Sequence, residues 1–292
     1  MKPKYKGIIF IICSAFCFAF MNAFVRLSGE LPSVQKSFFR NFVALLIAGA
    51  ACWKDRKNLT VPKEGWGWLV LRASFGTAGI LCNFYAIDHL VLSDASMLNK
   101  MSPFFTILFS WVLLKEKLKP AQGIAVLTAF LGSLLIIKPT LDFTDFKASL
   151  FGLLGGISAG AAYSIVRILG QKGVNKNFIV LFFSGFSCLV TLPFLIFDFH
   201  PMTLKQVLIL IGAGAAAAGG QFSITSAYCY APAKEISVYD YSQIIFATSL
   251  GYLFFREIPD KYSFIGYGVI ILAAVAMFWY NNYYSVKKQS EQ

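Results

Sequence analysis

Apolar runs of about twenty residues, each closed by a short polar or Pro/Gly-containing break, fill this chain from end to end. About 20 helical residues at ~1.5 Å each cross a ~30 Å hydrocarbon core. The pattern predicts ten spans, over 7–28, 33–52, 66–88, 92–114, 121–138, 149–170, 177–197, 206–229, 232–255 and 262–284. Gly29-Glu30-Leu31-Pro32 and Lys115 to Pro120 are typical breaks. The longest connection, Trp53 to Gly65, is too short for a soluble domain.

Two spans hold groups that an apolar helix excludes. In Pro232 to Glu257, Asp240 falls ~14 Å in at ~1.5 Å per helical residue, near mid-bilayer. A carboxylate there costs at least ~2.5–3.5 kcal/mol on insertion scales, so it is expected to face a wet or protein-lined interior. In Val91 to Glu116, Asn99 and Lys100 fall at similar depth from the opposite face. A shift of 141 residues lays one stretch on the other: Ser96 meets Ser237, Asn99 meets Asp240 and Glu116 meets Glu257. The same shift pairs Phe10 with Phe151, Arg26 with Arg167, Ala86 with Ala227 and Phe105 with Phe246, and five spans fall on five spans. An odd number of crossings per repeat inverts the second copy, and inverted repeats place a binding site at mid-bilayer between them. The fold expected is an all-α membrane protein, with ten transmembrane helices as two inverted five-helix repeats over 1–140 and 141–292.

Composition agrees. The chain has 57% hydrophobic and only 14% charged residues, with mean hydropathy +0.65, against ~25% charged in soluble domains. The net charge of +12 reflects basic residues flanking spans, not a phosphate-tracking patch, so nucleic acid is not an expected partner. With the N-terminus inside, the inner connections carry fifteen Lys and Arg and the outer ones five. That asymmetry places both termini in the cytoplasm of a multi-pass protein of the cytoplasmic membrane. The basic, then apolar, N-terminus is read as a retained first helix. Six cysteines without metal-ligand spacing are read as small buried side chains. His89 and His200 are the only histidines, at span ends. No nucleotide loop, nucleophile elbow or zinc motif accompanies them, so neither an enzyme nor a cofactor is expected.

Ser102-Pro103 followed by Leu113-Leu114-Lys115-Glu116 closes the fourth span, and Phe254-Phe255-Arg256-Glu257 repeats that ending in the ninth. With the ten-span layout and the five-plus-five repeat, these residues make the whole chain resemble the drug/metabolite transporter superfamily, in its ten-helix EamA branch. Ile244 stands where the first repeat has Pro103, which leaves open whether the ninth helix bends. The run from Lys6 to Asn41 is similar, more loosely, to S-adenosylmethionine carriers of that branch. The resemblance implies transport of a small polar solute by alternating access, with substrate among spans 1, 3, 4, 6, 8 and 9. The cargo expected carries a positive amine, with or without a carboxylate: an amino acid, an amine, or a derivative such as S-adenosylmethionine. The alternatives are a lipid-headgroup flippase and a non-transporting partner subunit, with an intramembrane enzyme behind them.

Asp240 is the leading site candidate, to neutralise an ammonium or accept a coupling proton; a structural pair is the plain alternative. Lys100 is placed either as its partner or as a group for a substrate carboxylate. Asn99, Tyr239, Tyr85, Gln221, Tyr163, Arg40 and Gln243 are expected to line the cavity, with Asn22, Asn83 and Tyr228 as further candidates. Arg26 and Arg167 are read as snorkelling from helix ends, and Arg72, near Trp66 and Trp68, as reaching the inner headgroups. Gly152, Gly156 and Gly160, and the run Gly212 to Gly220, are read as faces for close helix packing. The partners expected are substrate, lipid and a coupling proton, with the chain as monomer or homodimer.

Overall fold

The computed structural model describes residues 3–54, 61–114, 120–137, 143–231 and 236–290. Among them every regular element is helical. The helices are α1 (Pro3–Leu27), α2 (Ser33–Lys54), α3 (Gly65–His89), α4 (Leu92–Asn99), α5 (Ser102–Leu114), α6 (Pro120–Ile137), α7 (Phe143–Gln171), α8 (Lys176–Phe197) and α9 (Leu204–Tyr230). A 3-10 segment, Ser237–Tyr241, then leads into α10 (Ser242–Phe255), and α11 (Lys261–Ser290) ends the chain. Six helices, α1, α3, α7, α8, α9 and α11, are long and apolar enough to cross a membrane. Arg56, Lys57, Lys115, Glu116, Lys138 and Lys234 lie outside the described residues, as does the side chain of Ser237.

Packing follows the repeat. α1 lies along α9, and its counterpart α7 lies along α3. α5 packs on α7 as α10 packs on α1, and α2 meets α9 as α8 meets α3. α2 faces its own counterpart α8, and α6 faces α11. Each contact thus recurs when the halves are exchanged, as an axis relating two copies requires. Large apolar side chains such as Phe197, Leu272 and Trp279 remain exposed around the outside, where acyl chains take the place of water.

The fourth and ninth spans are each in two pieces. Pro103 lacks an amide donor, and its ring crowds the carbonyl four residues back, that of Asn99. The helix stops at Asn99, turns through Lys100 and Met101, and restarts at Ser102, so Pro103 sits in a first turn where a missing donor costs little. The ninth span changes from 3-10 to α geometry between Tyr241 and Ser242. Position 241 is 141 residues beyond Lys100, so the two interruptions match although Ile244 replaces the proline. Here Ser242 donates its hydroxyl to the Tyr239 carbonyl at 2.8 Å, a local bond that competes with regular helix.

The glycines act as close-contact faces. A Cβ on Gly156 would lie 2.6 Å from the Leu98 carbonyl, and one on Gly160 would lie 2.6 Å from Phe105 Cβ and 2.8 Å from the Ser102 carbonyl. The α7 glycines therefore seat the broken α4–α5 helix. A Cβ on Gly220 would meet the Phe18 ring at 2.5 Å, which brings α9 against α1. The cysteines differ from expectation: Cys52 and Cys188 are buried, but Cys13 and Cys229 are exposed, on helix faces that packing leaves uncovered.

Gly160→Ala should lower the melting midpoint of the purified protein by several degrees, since overpacking costs ~1–3 kcal/mol. Gly268→Ala, with nothing within 4 Å of the new methyl, should be neutral or stabilising by up to ~1 kcal/mol through helix propensity. Equal effects at both positions would show that α7 does not seat α4–α5 so closely.

Candidate substrate chamber

The two interruptions meet. Lys100 Nζ lies 2.7 Å from Asp240 Oδ2, and both side chains are at most 3% exposed. Asp240 Oδ1 has no further partner among the described residues. Lys100 follows the last residue of α4, and Asp240 sits in the 3-10 segment, so the pair ties the broken helix of one repeat to that of the other.

Beside this pair lies a chamber lined from eight helices. α1 gives Phe18, Met21 and Asn22, α3 gives Arg72 and Asn83, and α4 gives Asn99. α7 gives Tyr163, and α2, α8, α9 and α10 give Arg40, Phe183, Gln221 and Gln243. Space for water centres is about 60 Å³, enough for a few waters at ~10–15 Å³ each.

Five of the nine expected site residues line this chamber: Arg40, Asn99, Tyr163, Gln221 and Gln243. Asn22 and Asn83 join them. Lys100 and Asp240 stand next to it, engaged with each other rather than facing it. Two candidates lie elsewhere. Tyr85 stacks on His89 at 4.2 Å and packs against Phe151. Tyr239 meets Phe278 edge-on at 5.8 Å. Tyr228 stacks behind Tyr163 at 5.3 Å.

Arg72, expected from its place near Trp66 and Trp68 to reach the headgroups, instead turns inward. It is 2% exposed and folds along α3 into the chamber. Its Nη2 donates to Gln221 Oε1 at 3.0 Å, while Nε and Nη1 have no acceptor among the described residues. Its guanidinium lies 3.9 Å from the Phe183 ring centroid, in cation–π reach. Gly76, one turn further along α3, makes room, because a Cβ there would overlap Arg72 Nη1 and come within 2.7 Å of Phe183. That Arg-x-x-x-Gly spacing was the available signal. Arg40, 1% exposed, approaches the same ring at 6.0 Å. It donates to Asn41 Oδ1 and, through Nε, to Met21 Sδ at 3.4 Å. Asn41 in turn donates to Ser187 Oγ at 2.8 Å, which anchors α2 to α8.

Arg26 is likewise not a snorkelling residue. It forms an ion pair with Glu257 and donates to the carbonyls of Leu90 at 2.5 Å and Ile87 at 3.3 Å. Glu257 Oε2 accepts from the Leu92 amide at 3.1 Å, at the first turn of α4, where a carboxylate complements the helix dipole. Arg256 takes a left-handed conformation, φ 58°, to turn Glu257 back along α10. At the same end Lys36 pairs with Asp88 at 2.5 Å and Gln35 exchanges two hydrogen bonds with the His200 backbone. At the opposite end, where the chain begins, a crevice with about 300 Å³ of space is lined by Arg167, Gly170, Tyr228, Cys229 and Ala231.

A polar chamber enclosed by a helical bundle with broken spans defines a multi-pass membrane transporter. The comparisons agree on the class and supply the family. The model of the EamA-like transporter family matches twice, over residues 5–138 and 146–279, and the chain belongs to that family. It is 32% identical over 275 residues to the pseudopaline exporter CntI of Pseudomonas aeruginosa, covering 93% of this chain and 95% of that one. It is 25% identical to the riboflavin transporter of Vibrio cholerae, covering 92% and 91%. Human solute carrier family 35 member G1 is 26% identical, covering 92% and 77%. A solved crystal structure shares the fold, with TM-score 0.63 at 15% identity over 90% of this chain and 95% of that one. The three named relatives are transporters, not enzymes.

Neutralising one member of the Lys100–Asp240 pair leaves its partner charged and buried, at a cost of ~3–5 kcal/mol, whereas removing both is far milder. Lys100→Met and Asp240→Asn should each lower the melting midpoint, and the double variant should recover most of that loss. Strictly additive losses would show that the two do not stabilise each other.

Proposed function

We propose that the chain moves a small polar metabolite, an amino acid or amino-acid derivative, across the cytoplasmic membrane by alternating access of the central chamber. In this reading ten crossings come from two five-span halves, with 1–140 and 141–292 as the repeats, and both termini are cytoplasmic. The observation that carries it is the recurrence of one set of groups at the two ends of the bundle. At the end assigned to the outside, Arg26 and Glu257 pair with each other and are tied to α3 and α4. Under the 141-residue shift Arg26 maps to Arg167, Ile87 to Tyr228, Leu90 to Ala231 and Glu257 back to Glu116. Arg167, Tyr228 and Ala231 all line the crevice at the inner end. The repeat therefore encodes two latches of the same composition at opposite faces. Closing one while opening the other is what alternating access requires.

Substrate reaching the chamber meets Tyr163, Gln221, Gln243, Asn99 and Arg40. The Lys100–Asp240 pair links both halves at that depth, so a ligand that perturbs it acts on both broken helices at once. No nucleotide-binding loop is present in the sequence, so transport draws on a solute or ion gradient.

The test is sided cysteine labelling. In a cysteine-free background, Asn22→Cys should react slowly with a membrane-impermeant maleimide from the outside. Adding Arg26→Ala should speed that labelling at least about tenfold, which corresponds to shifting the equilibrium by ~1.4 kcal/mol. Adding Arg167→Ala should favour labelling from the inside in inverted vesicles. Equal labelling from both faces would indicate an open pore, and labelling from neither face in any variant would remove the transport reading.

A further inference from the structure

We infer that the chamber is an anion site: its ligand is a small amino-carboxylate with net negative charge, gripped by Arg40 and Arg72. The inference deepens the transport reading and names the substrate class of the same site.

The argument is charge accounting in a medium where an unpaired charge is expensive. Among the described residues, the carboxylates held within the bundle are already engaged. Asp240 belongs to Lys100, Asp88 to Lys36 and Glu257 to Arg26. Asp94 accepts from Tyr267 Oη at 2.6 Å. No described carboxylate pairs with Arg40 or Arg72, although both are at most 2% exposed. They face the same ring from the same chamber, and the rest of its polar lining is neutral amide and phenol. The lining thus carries two positive charges that no described carboxylate compensates.

Guanidinium groups present planar arrays of donors that match carboxylates. Arg72 is set for this: Phe183 covers one face, Gln221 takes Nη2, and Nε and Nη1 are left for a ligand. Two acceptors in the same lining, Asn83 Oδ1 and Gln243 Oε1, also lack donors. An amine on the ligand would satisfy them. Two cations with unpaired acceptors beside them select carboxylates carried on an amine backbone. They disfavour the cationic amines that a lone Asp240 would attract, since Asp240 is already neutralised.

Thermal melting of the purified protein tests this without requiring transport. The probes are iminodiacetate and L-glutamate, against choline and putrescine, with inorganic phosphate as a separate arm and potassium chloride matching ionic strength. The amino-dicarboxylates should raise the melting midpoint saturably by about 3 °C or more, and the amines should not. Arg72→Gln and Arg40→Gln should each abolish the shift while melting, without ligand, at or above the wild-type midpoint, because each removes an uncompensated buried charge. Arg72→Lys, which keeps the charge but loses the planar array, should bind at least about tenfold more weakly.

The assignment is overturned if amines stabilise and carboxylates do not, or if only phosphate does. It is also overturned if no carboxylate shift develops by about 20 mM, or if the shift survives in both glutamine variants. Glutamine variants that melt far below wild type without ligand would make the arginines structural and equally end the proposal. Absent carboxylate binding with sided cysteine labelling intact would remove the anion assignment alone. Carboxylate binding without sided labelling would remove the transport reading alone.

Discussion

Everything in this molecule bends around the expense of charge in oil. An ionised side chain in an apolar bundle is costly unless something answers it, and the helices are interrupted where Lys100 and Asp240 answer each other. Lys100 and Asp240 are brought within 2.7 Å because both spans stop being regular at the same repeat position. Unbroken, each span would carry its charge on a regular helical face. Broken, each delivers it to the junction between halves, where the opposite charge waits. The break in α4 follows from Pro103 by ordinary sterics, whereas the matching break in the ninth span occurs without a proline.

This explains which parts could be read from the chain. The apolar runs and the 141-residue repeat are properties of the sequence itself, and the helices follow them, with each half packed as the other is. Asp240, Lys100 and Asn99 could be singled out because a polar residue at mid-span is costly wherever it points. The glycine faces were legible for a similar reason: a side-chain-free stripe at helical spacing has little use besides close contact. The break at residue 241 was not legible, since neither Ile244 nor its neighbours bar a continuous helix.

The misread residues have one cause in common. Arg72 and Arg26 lie far enough from mid-span for a long side chain to escape to water, so snorkelling was the cheaper assumption. What defeats it is packing that a single helix cannot show: Phe183 arrives from α8 to cover Arg72, and Glu257 arrives from α10 to bind Arg26. Some signal was present. Gly76 opens the space into which Arg72 folds, and Arg26 and Glu257 each recur at the same offset, as Arg167 and Glu116. Recurrence of both members of an oppositely charged pair points to a contact more strongly than recurrence of either. Tyr85 and Tyr239 stand away from the chamber for the converse reason, since aromatic rings are as welcome between helices as in a cavity.

The buried Lys100–Asp240 pair and the Arg26–Glu257 pair are also joined by the same two pieces of chain. α4 begins at Leu92, whose amide donates to Glu257, and ends next to Lys100, bound to Asp240. α10 begins just beyond Asp240 and ends just before Glu257, which the left-handed turn at Arg256 folds back beside Gly251 and Leu92. Two short rigid helices are therefore clamped to each other at both ends, about 12 Å apart by the rise of α4's eight residues. Neither clamp can shift far without straining the other. A ligand charge entering the chamber beside Lys100 and Asp240 would thus be felt at Glu257 through helices that move as units. No chain of intermediate side chains is needed to carry that coupling.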